Sequence, residues 1–195
     1  MLNKEILISI FQKLYEEAKK SHDEFNSADG KIGDGDLGIT ILNGFEEINK
    51  NINKFNDDMG ANFMLCSQAF VKKSGSSFGT LIAFSFMNIS KSSKGKTECN
   101  HEDIINIFET ALKTILERGK TKLGDKTIAD SLDLIIKKLK DNTNYPEAIK
   151  SATRQALEDF KGKKILIGRA RMFEDKTKDL DDPGMFALNK LSEAF

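Results

Sequence analysis

The residues best suited to chemistry sit in ADGKIGDGDLG, where Asp29, Asp34 and Asp36 bring three carboxylates within eight residues. The glycines between them let the backbone turn tightly enough for all three to face one point. Three like charges held that close repel one another unless a cation sits among them. An all-oxygen donor set without histidine or cysteine suits a hard cation, Mg²⁺ or Ca²⁺, rather than zinc. A calcium loop of the helix-loop-helix kind fails in both registers. Counted from Asp34 its twelfth position is Phe45, where a bidentate glutamate is needed, and counted from Asp29 its third and fifth positions are Lys31 and Gly33. On composition, a cation cage and an acidic turn capping a helix that begins near Leu37 stand about even.

Three further segments combine small residues with an expected helix start: Gly35 to Thr40, Ser74 to Thr80, and Gly124 to Thr127. Such turns present unpaired N–H groups at the positive end of a helix dipole and suit phosphate. No stretch matches GxxxxGK[ST], and each segment alone reads equally as an ordinary cap. Arg169 and Arg171, in GRAR, could clamp a phosphate bidentately, although a surface ion pair is the commoner fate of such residues. His22 and His101 read as solvated helix-terminal residues. No Ser/His/Asp or Cys/His spacing argues for covalent catalysis, so no catalytic residue is assigned.

The elements that must position these groups are helices. Ile6, Ile10, Leu14 and Ala18 recur every fourth residue from Glu5 to about Lys20, with Leu7, Phe11 and Tyr15 widening the stripe. Ser27 to Gly38 reads as loop. Ile39, Leu42, Phe45, Ile48 and Ile52 resume the helical period, and another helix covers Phe63 to Lys72. The apolar run TLIAFSFMNI reads as buried helix and KSSKGKTECN as an exposed link. Ile104, Ile105, Phe108, Leu112, Ile115 and Leu116 form a stripe closed by Gly119 in the C′ position. Ile128 to Leu139 form the next helix, and Pro146 and Asp182-Pro183 mark two more helix starts. About seven or eight amphipathic helices with no internal repeat, and only 2 prolines in 195 residues, describe an all-α bundle spanning 1–195 as a single domain.

Thirty basic residues balance thirty acidic ones, and no Lys/Arg block stands out, which argues against nucleic acid as a partner. Cys66 and Cys99 lack metal-ligand spacing and read as free thiols of a reducing compartment. Charged residues interrupt the N-terminal apolar patch well before a signal sequence or membrane span could form, so a cytoplasmic location away from membrane is expected.

Together these blocks resemble the nucleotide-binding L subunit of dihydroxyacetone kinase, especially the stand-alone subunit of the phosphoenolpyruvate-dependent bacterial system. The family's GDGDHG is similar to residues 33–38, GDGDLG, with Asp29 matching a preceding aspartate. Its SGP-x-x-G-[ST] loop resembles Ser74 to Thr80, which is one residue shorter. Its RGKAxxGDKTM segment looks like Arg118 to Ile128, and its GRA…DPG pairing looks like Gly168-Arg169-Ala170 followed by Asp182-Pro183-Gly184. The chain departs from the pattern at Leu37, where the family has histidine, at Lys72 and Lys73 for glycines, at Ser76 for proline, and across Phe173 to Asp181.

The resemblance implies a closed antiparallel barrel of about eight helices, with a nucleotide and magnesium at one mouth and an apolar interior able to hold lipid. Asp29, Asp34 and Asp36 would bind Mg²⁺. Leu37, Gly38, Ile39, Thr40, Lys73, Ser74, Gly119, Ile128, Arg169, Asp182, Pro183 and Gly184 would contact ADP or ATP. The implied partners are a dihydroxyacetone-binding K subunit and a phosphocarrier M subunit, and a homodimer is compatible with the pattern. Resident ADP would be rephosphorylated in place, and ATP would then donate to dihydroxyacetone, positioning and charge neutralisation being the main requirements of phosphoryl transfer. Two other readings share the same motifs: a nucleotide-binding paralogue with a regulatory or scaffolding role, and the nucleotide domain of fatty-acid kinases. Chain length and the spaced Asp182-Pro183-Gly184 put the kinase subunit first.

Overall fold

The computed structural model describes residues 1–73 and 75–195; Ser74, one of the expected nucleotide contacts, lies outside the described residues. Among the described residues eight α-helices follow one another: α1 (Lys4–Asp29), α2 (Leu37–Lys50), α3 (Met59–Lys73), α4 (Ser77–Ser92), α5 (His101–Gly119), α6 (Ile128–Asp141), α7 (Tyr145–Asp159) and α8 (Pro183–Ser192). Each packs on the next, and α8 returns to α1, so the chain closes into a ring of antiparallel neighbours. Alternation then has one consequence that matters for function: α2, α4, α6 and α8 all begin at the same end of the ring. Two residues at the N-terminus, β1 (Leu2–Asn3), pair antiparallel with β2 (Glu98–Cys99), in register Leu2 to Cys99.

Burial follows the apolar stripes. Leu7, Phe11, Ala18 and Phe25 of α1 face inward, as do Leu37, Ile41, Phe45 and Ile48 of α2. Phenylalanine rings fill the interior: Phe45 meets Phe70 edge-on at 5.5 Å, Phe11 meets Phe55 edge-on at 6.0 Å, and Phe63 stacks on Phe86 at 6.3 Å. Edge-to-face pairs of this kind add to the area burial itself. Capping boxes start α5 at Asn100/Asp103 and α6 at Thr127/Asp130. Among the described residues, no helix is long and apolar enough to cross a membrane.

The structure corrects the sequence reading in several places. Helix α1 runs nine residues beyond Lys20 because Ser21 and Phe25 carry its buried stripe onward, so Asp29 stands on a helix end and not in a loop. Ile6 and Ile39, assigned to inward stripes, are 45% and 52% exposed. The first yields its place to Leu7 and Phe11, the second to Leu37 and Ile41. Ile52 lies past the end of α2, in a 3-10 turn. The link between α4 and α5 is not wholly exposed, since Cys99 is buried by its pairing with Leu2. Gly119 is the last residue of α5, and the left-handed turn expected of it falls on Lys120, at φ 52°.

Close helix approach rests on particular glycines. A Cβ on Gly44 would stand 2.3 Å from the ring of Phe70, a fully buried side chain with nowhere to go. Gly44→Ala is expected to lower stability by about 1–3 kcal/mol through overpacking of the α2–α3 contact, read as a lower urea midpoint; an unchanged midpoint would mean that the two helices slide apart freely.

Candidate functional site

The acidic loop is built by the end of α1 and the start of α2. From Asp29 the chain turns through Gly30 to Gly35, the latter at φ 74°, and enters α2 at Leu37. Asp29 Oδ2 accepts the backbone N–H of Gly35 at 2.8 Å and of Asp36 at 3.1 Å, which fixes the loop beneath it. Ile32, 2% exposed, anchors the middle of the turn. Carboxylate oxygens of Asp29, Asp34 and Asp36 lie within 4.8 Å of one another.

The capping role that sequence left open for this loop is discharged elsewhere. Asp36 occupies the N-cap position of α2, yet its side chain makes no capping hydrogen bond. Asn26 reaches across from α1 instead, its Oδ1 accepting from Gly38 N at 2.7 Å and Ile39 N at 3.2 Å. This contact requires the two backbones to touch, and a Cβ on Gly38 would fall 1.9 Å from the carbonyl oxygen of His22. The aspartates are thus left facing one another. Burial, followed by the charges of Asp34 and Asp29, raises the Asp36 carboxyl above its ordinary range, and the Arg169 guanidinium opposes this. A small divalent cation would relieve that repulsion, and the donor chemistry fits Mg²⁺.

Beside the loop opens a cleft of about 830 Å³. Its rim takes residues from the starts of all four even-numbered helices: Leu37 of α2, Ser76 to Phe78 of α4, Thr127 and Ile128 of α6, and Asp182 to Gly184 of α8. The local caps hold these starts in place. Ser76 Oγ accepts Gly79 N and the Thr40 hydroxyl, Thr127 Oγ1 accepts Ala129 N, and Asp182 Oδ1 accepts Met185 N at 2.9 Å. Aligned peptide dipoles place about half a positive charge at each helix start, so four of them converge on one space. Apolar side chains also line the cleft, Phe78, Leu81, Phe84, Ile115 and Ile167 among them, and Arg118 lies 4.2 Å over the Phe84 ring. Clustered aspartates, positive helix starts and apolar lining with an arginine together suit a phosphorylated ligand bearing a planar ring.

Of the residues proposed from sequence, Asp29, Asp34, Asp36, Leu37, Gly119, Ile128, Arg169, Asp182, Pro183 and Gly184 line this cleft. Gly38, Ile39 and Thr40, in the first turn of α2, are not among the lining residues; Ile39 is exposed, and Thr40 is buried and bonded to Ser76. Lys73 is turned to Glu47 Oε2 at 3.8 Å, beside Lys72 at 2.6 Å from Oε1 of the same carboxylate. His22 lies within α1, its Nδ1 against Lys19 O, and His101 stacks on Tyr145. Residues the sequence reading missed are Asn26, Phe78, Phe84, Arg118 and Ile167. Arg118 had a signal in ERGK at a helix end, whereas Asn26 had none, being twelve residues from the group it caps.

Burial pushes the Asp182 carboxyl up to about 7, against the N–H groups of Met185 and Gly184 and the ammonium of Lys126. The folded protein therefore holds this proton more tightly than the unfolded chain, and the stability it contributes is lost as pH rises from the ordinary carboxylate range through 7. Asp182→Asn keeps a capping acceptor without the charge. Its unfolding free energy relative to wild type is expected to climb between pH 4 and pH 7, by on the order of 2 kcal/mol, and to level off above. Urea unfolding across that range checks this, and a flat difference would place the carboxyl in the ordinary range.

Comparison with known proteins agrees with this architecture. An ADP-binding subunit of phosphoenolpyruvate-dependent dihydroxyacetone kinase from Listeria innocua is 28% identical over 180 residues, 92% of this chain and 88% of that protein. A second such subunit from the same organism is 31% identical over 116 residues, 58% of this chain, a span of 54% of the relative's length. The crystal structure of dihydroxyacetone kinase from C. freundii superposes on the whole chain with a TM-score of 0.76 at 20% identity, over 35% of its own length, and so shares the fold. Residues 31–195 match the DAK2 domain. By that match, which takes in all four helix starts and two of the three aspartates, the chain belongs to the DAK2 domain family.

Proposed function

We propose that this chain is a single nucleotide-binding domain, residues 1–195, serving as the ADP/ATP- and Mg²⁺-binding subunit of a cytoplasmic dihydroxyacetone kinase. It would pass a phosphoryl group, through its bound nucleotide, from a phosphocarrier M subunit to dihydroxyacetone held on a K subunit. The observation that carries this reading is the meeting of four helix starts and three facing aspartates at one cleft. The names of the relatives, ADP-binding subunits of phosphoenolpyruvate-dependent dihydroxyacetone kinases, support it, as does a shared fold with a C. freundii kinase crystallised with AMP-PNP and Mg²⁺.

In this reading Asp29, Asp34 and Asp36 hold Mg²⁺, which neutralises phosphate charge when bound. The positive ends of α2 and α4 face the phosphates. Gly119, Ile128 and the apolar wall take the base and ribose. Arg169 supplies the positive charge that transfer demands, and no protein acid or base is required. Exposed Leu123, Leu166, Met172 and Phe173, on the two segments that border the Arg169 side of the cleft, offer apolar surface to a partner subunit.

Calorimetric titration of ADP with and without Mg²⁺ tests the reading. Wild type is expected to bind in a Mg²⁺-dependent manner, and the Asp34→Ala/Asp36→Ala double variant to lose that dependence, because one aspartate cannot offset Mg²⁺ dehydration. No binding by wild type overturns the reading. Binding without transfer, once K and M partners are supplied, assigns the chain to the regulatory class instead.

A further inference from the structure

Lys126 is buried, 1% exposed, and is the only buried lysine among the described residues. A charged group is kept in such a place only if its protons are matched, since stripping water from an ammonium costs several kcal/mol. Its backbone adopts φ 61°, an uncommon conformation for a side-chain-bearing residue. Neither feature serves the capping box one residue later, which Thr127 and Asp130 complete without it.

The partners of the ammonium are all in one segment. Lys126 Nζ donates to the carbonyl of Lys163 at 2.9 Å and to that of Thr177 at 3.1 Å. These two carbonyls bracket the strap between α7 and α8 that carries Arg169. The strap folds back on itself at the same point. Thr177 Oγ1, fully buried, accepts Ile165 N at 3.0 Å and donates to Glu174 O at 2.7 Å. Leu166 N donates to Asp125 O, adding a second tie to the same loop. Among the described residues the strap's remaining polar ties are mostly internal, the ion pairs of Lys164 and Lys178 with Asp175 and the bond from Gly162 N to Lys178 O. Its apolar packing is limited to Ile165, Ala170 and Leu180 against Ile32, and its 3-10 turns are broken at Glu174, where φ is 45°. Arg169, at the free side of this strap, is largely exposed and pairs with Asp34.

We propose that Lys126 is a positioning residue of the nucleotide site: it pins the 163–177 strap to the start of α6 and so holds Arg169 over the acidic cluster. This rests on the nucleotide-binding reading above. The division of labour follows from geometry. An arginine on a strap with a small core needs a fixed point, and a charged donor to two carbonyls supplies directional ties that apolar contact does not. Burial holds the Lys126 ammonium below its ordinary range, and the charges of Asp181, Asp182 and Asp179 offset this only in part.

The test compares wild type, Lys126→Met, Arg169→Ala and the double variant, with Lys126→Gln as a shorter side chain that still donates. In Lys126→Met, amide hydrogen exchange is expected to quicken about tenfold or more across 163–180 and to stay unchanged in α1, α3 and α7. Mg²⁺–ADP affinity is expected to fall about as far as in Arg169→Ala, on the order of tenfold, and the double variant to be no worse than either single one. Lys126→Gln should recover part of both losses. Should Lys126→Met fail to fold, the same comparison is made on Lys126→Gln. Faster exchange throughout the helices, an unchanged strap, or affinity losses that multiply in the double variant would each overturn the proposal. If wild type binds no Mg²⁺–ADP, the nucleotide reading falls, and the exchange pattern alone decides whether Lys126 pins the strap.

Discussion

Closure of the ring by α8 against α1 is the constraint on which the rest of the molecule depends. In a closed circuit of antiparallel neighbours, every second helix begins at the same end. Each of those starts leaves backbone N–H groups without intrahelical partners and about half a positive charge. Fold topology thereby gathers four such starts around one cleft, before any side chain is considered. If α8 did not return to α1, Asp182 to Gly184 would leave the cleft, and the rim would be open on the side that Arg169 and the strap also occupy.

The charges set into that end balance one another. Three aspartates alone would be costly, and three features offset them: backbone N–H groups donated to Asp29, the pairing of Arg169 with Asp34, and the nearby helix starts. The balance is incomplete at Asp36, whose carboxyl is raised by burial and by its acidic neighbours. Such residual repulsion is what the proposed Mg²⁺ would relieve, in the way that functional sites hold local unfavourable terms within a stable frame. Stability is supplied at a distance, by the phenylalanine rings of the interior and by close contacts such as Gly44 on Phe70.

Helix starts in this protein are capped both locally and across space. Ser76, Thr127 and Asp182 cap their own helices in the ordinary way, whereas α2 borrows Asn26 from α1. That borrowing frees Asp36 from capping and leaves its carboxylate for the cleft. The same economy recurs at Lys72 and Lys73. Both are turned to the buried Glu47, so the added positive charge is spent within the α2–α3 contact and not on the cleft wall.

Much of this was legible in the amino-acid sequence, and the division has a physical basis. Helical periodicity, scarce proline and the Asp182-Pro183 start announced an all-helical chain, because those signals depend on neighbours three or four residues apart. The three aspartates with glycines between them announced an acidic cluster for the same reason. Boundaries were read less well: α1 outruns its strongest stripe, since a helix continues wherever tertiary burial of residues such as Phe25 rewards it. Tertiary structure alone decided that Asn26 caps α2, that Lys73 faces Glu47, that Arg118 lies on Phe84, and that Lys126 is buried under the strap. Each of these joins groups from separate helices or loops, at separations of 12 to 51 residues where stated. Local propensity carries no record of such pairings, which exist only once the ring has closed and brought its helix ends together.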